Sequence, residues 1–143
     1  MLLLAIPSLP PDLVLLQDAL ERSGVDIRLA VPPKAGVYGL YQPRARRLWV
    51  APVTRPLGIF RRTFLHEAVH AAQSCPSGVP SVMGVVTQPS AVVARRIQLL
   101  LSSNYSPHHT AVEKEAFEIQ GRSDAVPLLI QLLSKRCSAG SRQ

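Results

Sequence analysis

The stretch Leu57-Gly58-Ile59-Phe60-Arg61-Arg62-Thr63-Phe64-Leu65-His66-Glu67-Ala68-Val69-His70-Ala71-Ala72-Gln73-Ser74-Cys75 decides how this chain is read. It contains no proline, and its one glycine, Gly58, stands near its start. Leu57, Phe60, Phe64, Ala68, Ala71 and Ala72 recur at three- and four-residue steps, the spacing of an amphipathic helix. Pro76 and Gly78 stop that helix just beyond Cys75. On it, His66 and His70 lie one above the other on one face, so their imidazoles can close on one metal ion. Glu67, beside the first histidine, is placed to reach a water at the ion rather than the ion itself. Only Arg61 and Arg62 carry charge before the motif. A carboxylate on a flank this apolar is costly to bury without a task.

The rest of the chain sets the setting for this helix. At 143 residues, one domain spanning 1–143 with a real core is expected. Hydrophobic residues make up 47% and charged ones 17%, which excludes a disordered chain. The net charge of +7 favours anionic partners, nucleic acid among them. No aromatic-interleaved basic patch or nucleic-acid motif accompanies it, so nucleic acid is a minority reading. Cys75 and Cys137 form no C-x-x-C pair, which argues against a cysteine zinc site. They are either free thiols in a reducing cytosol or one bridge between the ends of two helices. The apolar start, Met1 to Ile6, lacks a positive region and is broken at Pro7, so it does not read as a signal peptide. No stretch is long enough to span a bilayer. The expected location is cytoplasmic.

Around the motif helix the elements read in order. Pro11 and Asp12 open a helix with Leu13, Leu16, Ala19 and Leu20 as its stripe, ending near Ser23-Gly24. Val25 to Val31, Gly36 to Tyr41 and Arg47 to Ala51 read as strands, with residues 42–46 as the loop between the last two. Pro52 to Pro56 links to the motif helix. After it come a loop from Pro76 to Gln88, a helix opened by Pro89-Ser90, a break from Ser102 to Pro107, and helices from about His109 to Gln120 and from about Asp124 to Lys135. A small three-stranded sheet in the first half and helices in the second make an α+β fold.

The motif helix resembles that of the zincin metallopeptidases. Thr63 stands three positions before His66, where that pattern has Val or Thr, and the residues around the histidines are uncharged except Glu67. The element order resembles the minimal gluzincin layout, in which a helix and a short twisted sheet precede the motif and a later helix supplies a third ligand. Catalytic zinc needs that third protein ligand and an open position. The residues after His70 exclude the branches that place a third His or Asp a few positions on. Gluzincins use a Glu within E-x-x-A, and Glu113-Lys114-Glu115-Ala116 matches it. The resemblance thus implies zinc held by His66, His70 and Glu113. Glu115 is the competitor; it lies about 200° round the helix from Glu113, so one of the two faces the metal. Ala116, Phe117 and Gln120 share a flank with Glu113, and Val112 and Ile119 share the other with Glu115. Phe117 stands where many members have an Asp that orients a histidine; Glu118 is the substitute in view.

What the resemblance implies is peptide hydrolysis, with Glu67 as general base taking a proton from water and passing it to the leaving amine. Tyr105, His108 and His109 are candidate donors to the oxyanion. The third strand, Leu48 to Ala51, is a candidate for holding an extended peptide by strand addition; Trp49 reads equally as core. Two other classes stand beside the enzyme. One is a regulatory module that zinc only stabilises. The other is a metal-free basic interaction domain using Arg44, Arg46, Arg47, Arg61, Arg62, Arg95 and Arg96.

Overall fold

Proline and glycine set the boundaries of the elements. The structure, a computed structural model, describes residues 9–85, 91–101 and 107–137. The first helix, α1 (Pro11–Arg22), starts with Pro11 at its first turn, where the missing N–H has no intrahelical partner to lose. Gly24, at φ +89°, turns the chain out of it. Three strands follow: β1 (Asp26–Arg28), β2 (Gly39–Gln42) and β3 (Arg47–Val50). A single 3₁₀ turn over Pro52–Thr54 leads into α2 (Phe60–Gln73), the motif helix. The remaining helices are α3 (Ala91–Leu101), α4 (Pro107–Gln120) and α5 (Ala125–Arg136). The fold is mixed α+β, with five helices and one three-stranded sheet among the described residues.

The sheet order is β1-β3-β2, with β3 central, parallel to β1 and antiparallel to β2. β1 is shorter than the apolar run Val25 to Val31 predicts. Asp26, Ile27 and Arg28 pair with Arg47, Leu48 and Trp49. Beyond Val50 the chain turns at Pro52, so β3 offers no partner for Ala30 and Val31. α2 likewise starts at Phe60 rather than Leu57. Gly58 at φ +72° breaks the preceding turn, and Leu57 is exposed. The opening of the helix at Pro89-Ser90 and the break over residues 102–106 fall outside the described residues.

α2 lies at the centre of the molecule, touching α4, α5, β2 and β3. One core joins Leu13, Leu16 and Leu20 of α1, Leu48 and Val50 of β3, Phe64 and Val69 of α2, Ala116 and Ile119 of α4, and Leu129 and Leu133 of α5. α3 is attached more lightly, through Ile97 and Leu101, while its Val92 and Val93 are exposed. The C-terminal end of α2 is fastened twice. Cys75 and Cys137 form a disulfide, which resolves the choice between free thiols and a bridge. Arg136 donates from Nε to the Ala72 carbonyl and from Nη2 to that of Cys75, satisfying carbonyls that a helix end leaves open. No described helix is long and apolar enough to cross a membrane.

Candidate metal centre

α2 presents His66 and His70 one turn apart, and α4 crosses it with Glu113 facing them. Ala116, fully buried, lets the two helices approach. His66 Nε2 stands 3.0 Å from Glu113 Oε2, His70 Nε2 stands 3.0 Å from Oε1, and the two Nε2 atoms are 3.2 Å apart. Zinc bonds of about 2.0–2.1 Å put tetrahedral donors about 3.3–3.4 Å from one another, so the spacing suits such an ion. Among the described residues these three form the one group of His, Cys, Asp or Glu side chains able to hold a metal ion.

The hydrogen bonds behind the rings decide which nitrogens face the centre. Gln73 donates both amide hydrogens, to the Val112 carbonyl and to the Glu115 carboxylate, each at 3.0 Å. Neither acceptor can donate, so Gln73 Oε1 is turned to His70 Nδ1, 2.8 Å away, and accepts its proton. His66 Nδ1 likewise meets Gln120 Oε1 at 2.6 Å. In the tautomer with a proton on each Nδ1, two Nε2 lone pairs and a carboxylate face one another with no hydrogen between them. A set of three acceptors needs a cation or added protons. That donor chemistry is the fit of this site to zinc.

Electrostatics follow the same geometry. Burial alone pushes the Glu113 carboxyl up, but without a metal ion the protonated His66 and His70 rings donate to it, outweigh burial and hold it far below the carboxylate range. Burial pushes His70 down; its bond to Glu113 and the charges of Glu67 and Glu113 overcome this and raise it. Glu67 is raised, chiefly by burial, with the neighbouring histidines pulling the other way.

Glu67 lies on the sheet side of α2. Gly39 of β2 packs on it so closely that a Cβ there would meet Thr63 Cγ2 at 2.7 Å and Glu67 Cγ at 2.9 Å. The centre opens into a cleft of about 540 Å³, walled by β2 and the loop before it on one side and by Pro80, His109, Val112 and Phe117 on the other. A larger groove of about 710 Å³ runs between α3 and α4, lined by Ile97, Leu101, Lys114 and Glu118. Of His, Cys, Asp and Glu side chains only Glu118 lines it, so the ligand cluster lies in the smaller cleft.

Glu115 is buried on the far flank of α4, bonded to Gln73 and to the backbone of residues 83–85, so Glu113 and not Glu115 joins the histidines. Glu118 lines the α3–α4 groove and does not orient His66; Gln120 does, while the Phe117 ring packs on His66 with centroids 4.6 Å apart. β3 has partners on both sides and cannot take an added strand; β1 and β2 are the edge strands, and β2 borders the cleft. Trp49 sits in β3 and donates its indole N–H to Gln42. Of the oxyanion candidates, His109 lines the cleft, His108 reaches the Pro80 carbonyl at 3.1 Å, and Tyr105 lies outside the described residues. The basic face is partly engaged, Arg47 by Asp26 and Arg61 by Asp12.

Sequence reasoning missed Gln73, Gln120 and Gly39 as parts of the site. Gln120 carried a signal, since it repeats at seven residues from Glu113 on one flank. Gln73 carried a weaker one, one turn beyond His70; Gly39 carried none. Comparison with protein-family models, curated proteins and solved structures found no match for this chain.

Proposed function

We propose that this chain is a zinc-dependent peptidase of the minimal gluzincin type, with His66, His70 and Glu113 as the metal-holding residues. The observation that carries the reading is the convergence at 3.0–3.2 Å of two imidazole Nε2 atoms from α2 and one carboxylate from α4, with a buried glutamate, Glu67, directly after His66. When bound there, zinc supplies Lewis acidity, lowering the pKa of a water and polarising a carbonyl.

The other steps belong to the chain. Glu67, with its proton affinity raised by burial, takes a proton from the attacking water and delivers it to the leaving amine. Gln73 and Gln120 hold the two rings with Nε2 forward. The free edge of β2 runs beside the cleft, where an extended peptide can pair with it. His109, on the same wall as Glu113, is the donor in view for the oxyanion. The open cleft and the spare glutamate favour this reading over a zinc site that only stabilises the fold. The engaged arginines weaken the reading as a basic interaction domain.

The Cys75–Cys137 bridge bears on where the protein works. Disulfides persist in oxidising surroundings and are rare in a reducing cytosol. We therefore place the protein in an oxidising compartment rather than the cytoplasm.

The test is hydrolysis of a quenched-fluorescent peptide library by protein purified with stoichiometric zinc. Activity that a chelator removes and zinc restores is expected, with Glu67→Gln keeping its zinc and losing at least about 10²–10⁴-fold in rate. A Glu67→Gln variant as active as the wild type would overturn the enzyme reading; a wild type that takes up no zinc would overturn the metal reading.

A further inference from the structure

Glu115 has the residue type of a ligand yet sits 4% exposed on the flank of α4 that faces away from the histidines. A buried carboxylate needs donors, and this one has a full set. Met83 N–H donates to its Oε1 at 2.8 Å; Gly84 and Val85 N–H donate to Oε2 at 3.0 and 3.2 Å; Gln73 Nε2 donates to Oε1 at 3.0 Å. Three consecutive backbone amides of an irregular segment therefore close on one side chain. Gly84, at φ +80°, takes a left-handed conformation that a side chain would resist, which lets successive amides turn the same way.

Gln73 joins this segment to the metal centre. It is fully buried, and its backbone carbonyl accepts from Ser81 N–H at 3.1 Å. Its side chain links Glu115 and the Val112 carbonyl to His70 Nδ1. A continuous chain of hydrogen bonds thus runs from Met83–Val85 through Glu115 and Gln73 to the imidazole whose Nε2 faces Glu113. Pro80, just before the segment, walls the cleft.

We propose that Glu115 and Gln73 are positioning residues that couple the seating of the Ser81–Val85 segment to the ion-binding geometry of His70. The inference rests on the metal reading above. Glu115 and the Val112 carbonyl hold the Gln73 amide in one orientation, and that orientation holds the His70 proton on Nδ1. The coupling runs both ways, as linkage requires. An ion at His70 steadies the segment, and release of the segment loosens the ion. A cleft wall and the metal centre are one unit.

The experiment compares wild type, Glu115→Gln, Gln73→Met and the double variant in three readouts. Cobalt affinity by chelator competition is expected to fall about 10–100-fold in Gln73→Met and by a smaller factor in Glu115→Gln. The double variant should be no weaker than Gln73→Met alone, since both act through one chain. Zinc should slow hydrogen exchange at the Met83, Gly84 and Val85 amides in the wild type and not in Gln73→Met. In metal-free protein at alkaline pH, ring ¹⁵N shifts should show His70 as the Nδ1–H tautomer in the wild type and as a mixture in Gln73→Met. Wild-type cobalt affinity in both variants, with only the melting temperature lowered, overturns the proposal. So does exchange in the wild type that zinc leaves unchanged. If Glu115→Gln does not fold, Gln73→Met carries all three readouts. Failure of the wild type to bind cobalt or zinc sinks the metal reading and this coupling with it; the tautomer then reports only on the Gln73 lock.

Discussion

A Cβ on Gly39 would stand 2.9 Å from Glu67 Cγ and 3.0 Å from its Oε2. Real Cβ atoms do not approach that closely, so the glycine in β2 is what allows Glu67 to occupy its place between the sheet and the His66–His70–Glu113 cluster. Gly39→Ala should push the Glu67 carboxylate aside while leaving His66, His70 and Glu113 untouched. Zinc content should stay at wild-type level, and peptide hydrolysis should fall about 10²-fold, the usual scale for a catalytic group misplaced by about 1 Å. Unchanged kcat with unchanged zinc would show that Glu67 does not depend on this contact.

The ion should depend on all three converging side chains. His66→Ala, His70→Ala and Glu113→Ala should each lose stoichiometric zinc, whereas Glu115→Ala should keep a measurable zinc site. Atomic absorption after dialysis against a weak chelator reads the difference. Loss of zinc with Glu115→Ala and retention with Glu113→Ala would reverse the assignment of the two carboxylates on α4.

The pH dependence of stability should differ between metal-free and zinc-loaded protein. In the metal-free form His70 is raised above its ordinary value of 6.5. A group raised on folding stabilises fully below its unfolded pKa and loses that contribution as pH climbs through the folded one. Glu67, also raised, acts in the same direction above 4.5. Glu113 is lowered from 4.5, so its contribution is present above that value and fades as pH falls. Metal-free protein should therefore lose stability as pH rises past about 6.5, the ordinary imidazole value. Zinc-loaded protein should not, because the ion replaces the ring proton and binds more tightly as competing protons leave. Denaturant midpoints between pH 6 and pH 9 should diverge; parallel curves would count against a shared proton-and-metal site.

The bridge between Cys75 and Cys137 closes 62 residues of chain and ties the end of α2 to the end of α5. Loop-closure entropy for that span is about 4 kcal/mol. The Cys75→Ser/Cys137→Ser variant should lose about 2–5 kcal/mol of stability by urea unfolding. Its folded form should still bind zinc, since Arg136 continues to hold the Ala72 and Cys75 carbonyls. Loss of zinc in the folded variant would show that the bridge, and not packing, sets the histidine geometry.

Much of this centre was legible in the chain because it depends on local geometry. The step of four between His66 and His70 and the apolar stripe of Phe60, Phe64 and Ala68 need only the pitch of one helix to place two rings on one face. The α+β order followed in the same way from periodicity and from proline and glycine boundaries. The strand ends did not. Ala30 and Val31 continue the apolar run, yet strand length depends on what the neighbour offers, and β3 turns away at Pro52.

The choice between Glu113 and Glu115 is where the sequence stops. Both lie on one helix, two residues apart, and nothing local says how α4 is rotated about its axis. Burial of Val112, Ala116 and Ile119 sets that rotation, turning Glu113 to the histidines across 47 residues of chain from His66 and Glu115 to the amides of residues 83–85. The same packing brings Gln120 rather than Glu118 to His66, and the sheet order places β2 rather than β3 at the free edge by the cleft. The sequence by itself determined which residues share a helix face. Tertiary structure alone decided which faces meet, because that depends on the joint burial of apolar side chains from elements distant in the chain.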